Sequence, residues 1–174
     1  MKILARLGLI AGALLILGAC ATVDRYGAAR DVHALLVSIR DDDRATFEAH
    51  VDRPALERQI EARLVAETRR RAGQDQGLNA LGALLAQPLA QMASDALIQP
   101  RVFRAVAASY GYTPDKPIPG PLAIGGALRA VGKDQVCATR RKDGPCLLVF
   151  TRQDGVWRLS GFEGEISELR GGAR

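Results

Sequence analysis

From residue 28 onward the apolar positions recur first at helical and then at strand spacing. The segment "ARDVHALLVSIR" sets Val32, Leu35, Leu36 and Ile39 three or four residues apart, which predicts one face of an amphipathic helix. Asp41-Asp42-Asp43 interrupts that period, and Asp43 stands where a short helix "RATFEAHV" needs its cap. A third helix is predicted from Asp52, an N-cap with Pro54 in the first turn, and carries Leu56, Ile60 and Leu64 at four-residue steps. Arg69, Arg70 and Arg71 then bring positive charge to the negative end of the helix dipole, and Gly73 supplies the C-cap.

The next stretch, "GLNALGALLAQPLAQMAS" over 77–94, holds no charged residue. Leu78, Leu81, Leu85, Leu89 and Met92 form one stripe, and this predicts a buried helix, or a helix pair kinked at Pro88, with Ala and Gly allowing close packing. A helix lying on or in a membrane is the competing reading, opposed by Asn79, Gln87, Gln91 and Ser94. Gln99-Pro100 opens a further helix, "PRVFRAVAASY", with Val102, Phe103 and Val106 predicted inward. Four prolines within 111–121 mark a loop between a helical half, 28–110, and a strand half, 122–174.

In the second half the period falls to two. "CLLVFTR" and "VWRLSGF" flank Gln153-Asp154-Gly155, a strong hairpin signal. A two-residue turn at Asp154-Gly155 sets Phe150 opposite Leu159 and Arg152 opposite Trp157. Leu148, Phe150, Trp157 and Leu159 then share the face predicted to meet the helices. A strand over roughly 135–140 precedes the turn "RRKDGP". The expected fold class is α+β: four to five helices packed on an antiparallel sheet of three to four strands, in one domain spanning 28–174.

The chain's start changes the picture from fold to address. Lys2 and Arg6 precede an uncharged apolar run, Leu7 to Leu17, too short to cross a bilayer core of ~30 Å as a helix. Leu17-Gly18-Ala19-Cys20 closes that run and resembles the lipobox of bacterial lipoprotein precursors. The resemblance implies a signal peptide over 1–19, thioether lipidation of Cys20, acylation of the new amino terminus and a tether over 20–27. The membrane is then a partner through the lipid on Cys20, since two or more acyl chains anchor stably where one does not. An uncleaved anchor running on to Val23 is the alternative. Ala21 stands where the inner-membrane retention signal would be Asp, so the same resemblance implies the outer membrane. With Lys2 and Arg6 cytoplasmic, the body faces the periplasm.

Composition adds little to this. Apolar residues at 48% and charged residues at 25% are ordinary for a globular protein. The net charge is +5, or +3 once Lys2 and Arg6 are removed, and no nucleic acid is expected as a partner. Aromatic residues at 5% argue against a sugar cleft lined by stacked rings.

Candidate chemistry is sparse. His33 and His50 are far apart in sequence with no ligand-spaced companion, so neither a metal nor another cofactor is expected. Asp41-Asp42-Asp43 supplies too few oxygens for Ca²⁺ and reads as a solvated helix break. Arg69-Arg70-Arg71 reads as a helix end before it reads as a lipid-phosphate contact. Ser109 and Ser160 lack a nucleophile-elbow context, and Gly125-Gly126 is no phosphate loop. Cys137 and Cys146 are the remaining thiols, and in an oxidising compartment such a pair is expected to join. Regular strands would put both on the Phe150 face. A turn centred on Arg141-Lys142, or a wider loop there, sets them directly opposite. A tight turn at Asp143-Gly144 would separate them by some four residues and leave two buried thiols.

Taken together, "LLVSIRDDDRATFEAHVDRPALERQIEARL", "LGALLAQPLAQMASDALIQPRVF" and "LVFTRQDGVWRLSGFEG" resemble the bacterial family named domain of unknown function 2939. The element from Val51 to Leu56 and the strand Trp157-Arg158-Leu159 carry most of that resemblance. It implies a fold and a location but no catalytic residue. The lipobox and the Pro-rich stretch from Thr113 to Pro121 depart from the family pattern. The expected function is therefore a lipid-anchored periplasmic module that binds or supports an envelope protein or lipid. The alternative is an envelope hydrolase working from a pocket between sheet and helices.

Overall fold

The computed structural model describes residues 25–73, 76–109, 113–139 and 144–162. Six helices among them precede or lead into a four-stranded antiparallel sheet of order β1-β2-β3-β4, so the fold class is α+β. Helix α1 covers residues 25–41. It is followed by α2 (Arg44–Ala49), α3 (Arg53–Ala72), α4 (Gln76–Leu97), α5 (Pro100–Ser109) and α6 (Pro121–Ala127). The strands are β1 (Leu128–Gly132), β2 (Gln135–Thr139), β3 (Cys146–Gln153) and β4 (Val156–Phe162). Residues 25–27, assigned to the tether from sequence, are already helical.

The helix boundaries follow the polar signals. Asp42 takes a left-handed conformation (φ 57°) that a short acidic side chain tolerates, and this ends α1. Asp43 then caps α2: its carboxylate accepts from the Thr46 backbone N–H at 3.1 Å and from the Thr46 hydroxyl at 2.6 Å. Asp52 caps α3 by accepting from Ala55 N–H at 3.0 Å, and Gly73 (φ 57°) closes its far end.

One core lies between the helices and one sheet face. Ala28, Ala29, Val32 and Leu35 of α1, Phe47 of α2, Leu56 of α3 and Ile124 of α6 meet Val136, Phe150, Trp157 and Leu159 of the sheet. Phe103 of α5 stands edge-on to Phe47, ring centroids 5.3 Å apart. The β3–β4 hairpin has the expected register, Phe150 opposite Leu159 and Arg152 opposite Trp157. Asp154 and Gly155 both have positive φ, as the two-residue turn demands.

Val51 pairs in parallel with Leu159 as a single bridge. Asp52 N–H donates to the Leu159 carbonyl and Leu159 N–H to the His50 carbonyl, each at 2.9 Å. The turn before α3 thereby covers the free edge of β4, which would otherwise offer unpaired backbone groups to other chains.

Four side-chain expectations are corrected. Val106 and Leu148 are exposed rather than inward, Leu148 because it lies toward the Phe162 end of β4, beyond the buried centre of the sheet. Cys137 and Cys146 do not share the Phe150 face. Leu147 forms a bulge between the pairs Ala138–Leu148 and Thr139–Cys146, and this reverses the alternation before Cys146. Cys137 lies on the other face because it pairs with Val149, so both cysteines join Val149 in a small buried cluster there. Helix α6 and strand β1 carry too short a pattern to have been located from sequence; Pro121 sits in the first turn of α6, where proline is favoured.

Candidate functional site

The predicted site residues fall in different places. Cys20 and the whole 1–19 segment lie outside the described residues. Cys137 and Cys146 are joined as a disulfide with Cα atoms 5.4 Å apart. They are not directly opposite: Cys137 pairs with Val149 and Cys146 with Thr139. The Arg129 guanidinium lies over the bridge, 3.5 Å from Cys146 Sγ and 3.9 Å from Cys137 Sγ.

The titratable candidates serve the scaffold. His33 Nδ1 meets the Pro119 carbonyl at 3.0 Å and His50 Nδ1 meets the Thr46 carbonyl at 2.8 Å. A carbonyl can only accept, so each Nδ1 carries the proton. His50 Nε2 is 4.0 Å from Asp31, whose other oxygen accepts from Trp157 N–H at 2.8 Å. No group of three or more His, Cys, Asp or Glu among the described residues is placed to hold a metal ion. Ser160 shares a hydrogen bond of 2.7 Å with Thr151.

The charged runs are likewise engaged locally. Asp41 pairs with Arg40 at 2.7 Å, and that hydrogen bond lowers the Asp41 carboxyl below its ordinary range. Asp43 is lowered chiefly by the Thr46 hydroxyl. Glu67 takes Arg71 at 2.7 Å and Arg70 at 2.5 Å; the Arg71 hydrogen bond and then the Arg70 charge hold its pKa down.

The feature that burial cannot explain is α4. Helices α3 and α4 form an antiparallel hairpin, and the side of α4 turned to α3 is built of small residues. A Cβ placed on Gly82 would lie 2.1 Å from Thr68 Cγ2, so the backbones approach closely there. Ala86, Ala90 and Ser94 follow at four-residue steps and are fully buried. Arg53 fastens the far end. It binds Glu48 at 2.5 Å and donates to the carbonyls of Ser94 at 3.2 Å and Ile98 at 2.9 Å, two acceptors at the helix end.

Because the small residues take the α3 side, the leucines take the other. Leu81, Leu84, Leu85, Leu89 and Met92 are between 49% and 74% exposed. This corrects the expectation of a buried stripe at Leu81, Leu85, Leu89 and Met92; its fifth member, Leu78, has a side chain outside the described residues. A continuous helix runs through Pro88, with the Leu84 carbonyl deprived of its N–H partner where both residues are open to water. No described helix is long and apolar enough to cross a membrane.

The profile of the family described as "Protein of unknown function (DUF2939)" matches residues 13–106, more than half of the 174-residue chain. The chain belongs to the DUF2939 family. The DUF2939 match takes in α1 to α4 and most of α5, including the exposed face of α4, and ends before α6 and the sheet. No curated protein and no solved structure matches the chain.

Proposed function

We propose that this DUF2939 protein is a lipid-anchored, periplasm-facing module of the bacterial envelope that acts by binding through the outer face of α4. One observation carries the binding role: five large apolar side chains stand exposed on a helix face with no charge from residue 77 to 94. Monomeric proteins rarely leave a contiguous apolar patch of several hundred Å² bare unless something docks on it. The rest of the molecule supports a binding rather than a catalytic role. Both histidines are held by backbone carbonyls and Ser160 by Thr151, so these groups serve packing and register.

The anchor rests on the likeness of Leu17-Gly18-Ala19-Cys20 to a lipobox, and the outer membrane on Ala21 after the cysteine. Labelling with palmitate tests the anchor: the native chain incorporates the label, and Cys20→Ser accumulates an unlabelled precursor. Equal labelling of the two would leave an uncleaved helix as the anchor. A photo-reactive residue at position 84 tests the binding face in intact cells. An adduct absent from the same probe at Leu122, exposed on α6, supports the reading; no adduct at position 84 ends it.

A further inference from the structure

We infer that the occupant of the α4 face is a second copy of this chain, packed as an antiparallel pair of α4 helices related by a two-fold axis near Leu85. This rests on the proposal that the face binds at all, and names its partner.

The leucines along the middle of the face are symmetric about Leu85, while Leu84, whose mate would be the buried Ala86, stands at its edge. Leu81 lies four residues before it and Leu89 four after, while position 78, also leucine, lies seven before and Met92 seven after. Steps of seven filled in by three and four are the spacing with which two helices interlock side chains along a seam. An antiparallel two-fold at Leu85 sets Leu81 against the partner's Leu89. An isologous interface needs such a self-complementary surface, and a pattern without this symmetry would not supply one.

Area and charge agree with that occupant. Five side chains at 49–74% exposure leave on the order of 500 Å² of apolar surface open. With the neighbouring exposed Ala80, Pro88 and Gln91, the face approaches the ~800 Å² per partner of a stable interface. Between Gly77 and Ser94 there is no charge to recruit a charged partner or to repel an identical one. Charge begins only at the two ends. Asp95, near the end of α4, lies 3.8 Å from Arg53, and at the end of α3 Arg70 and Arg71 pair with Glu67. Antiparallel packing opposes the two helix dipoles. α3 stays behind each α4 on its small-residue side, so pairing needs no rearrangement of the hairpin.

The test uses the full-length chain in its own membranes, with single cysteines introduced on α4. Leu85→Cys should oxidise to a covalent dimer. Leu81→Cys alone should not, because eight residues of helix rise separate the two copies of that position from direct apposition, but Leu81→Cys and Leu89→Cys expressed together should. Leu122→Cys is the control at an exposed leucine off the face. Leu85→Glu should weaken association by at least about tenfold, since pairing would bury an uncompensated carboxylate. At a dilution where the native chain is monomeric, its unfolding midpoint should match the native one, because the position is exposed in the monomer. Dimers at Leu81→Cys alone, or equal dimers at Leu122→Cys, overturn the antiparallel pair. A photo-probe at position 85 that joins lipid or another protein, with no dimer, overturns self-pairing and leaves the binding face standing. No adduct at all removes both.

Discussion

Gly82 of α4 and Thr68 of α3 meet so closely that no side chain fits between them. A Cβ on Gly82 would sit 2.1 Å from Thr68 Cγ2 and 2.8 Å from its Cβ. Thr68 cannot swing aside freely, because its hydroxyl is tied to the Leu64 carbonyl at 2.9 Å. Two effects of Gly82→Ala therefore compete. Helix propensity favours alanine by roughly 1 kcal/mol, while overpacking costs about 1–3 kcal/mol. The contact is with a branched, tethered side chain, so overpacking wins. We expect Gly82→Ala to lower the urea midpoint and Thr68→Gly to restore part of the loss in the double variant. A stabilised Gly82→Ala would show that the two helices lie further apart.

Trp157→Ala should cost about 3–5 kcal/mol, because Trp157 is 3% exposed and fills the core between α1 and the sheet. Chemical denaturation measures it. A melting temperature within about a degree of the native value would mean that the hairpin presents its other face to the helices.

The disulfide Cys137–Cys146 closes a nine-residue separation, for which loop entropy assigns about 2–3 kcal/mol. β2 and β3 remain paired without it, so reduction should lower stability and leave the domain folded. Alkylation of unreduced protein, read by mass spectrometry, should find neither thiol free. Two labelled thiols would refute the bridge.

Acid should weaken the helical half first. Asp43 and Glu67 both have carboxyl groups lowered by hydrogen bonds formed on folding, from Thr46 and from Arg71. A group lowered in the folded state stabilises it above the unfolded pKa, and that contribution is lost as pH falls through the folded value. Stability should thus be flat near neutral pH and decline below the ordinary carboxylate range of about 4. Asp43→Asn keeps an acceptor for the Thr46 N–H but cannot titrate. Its deficit against the native chain at pH 7 should shrink or vanish by pH 3. A deficit that is the same at both pH values would remove Asp43 from the acid response.

Local features of the fold were legible because local chemistry decides them. Asp43, Asp52 and Gly73 mark helix ends through hydrogen bonds and backbone angles within a turn of themselves. Asp154-Gly155 sets the register of β3 against β4 for the same reason. Cys137 and Cys146 also announced a bridge by their number and by the oxidising compartment expected from the lipobox-like start. The route to it was different, because a bulge at Leu147 depends on pairing with β2 and leaves no mark in a strand-period sequence.

The α4 helix separates the two kinds of information most sharply. Its sequence determined that a helix forms and that an uncharged leucine stripe runs along it. It could not determine which side faces inward, since hydrophobicity alone turns the leucines toward the core. Tertiary structure decided otherwise: the close approach to α3 needs Gly82, Ala86, Ala90 and Ser94 at the contact, and a helix has only one side to give to its neighbour. Likewise Val51 and Leu159 each read as part of a local element, a helix entry and a hairpin strand. Only folding brought them together, because the edge of β4 had backbone groups to satisfy and the turn before α3 was the chain that reached it.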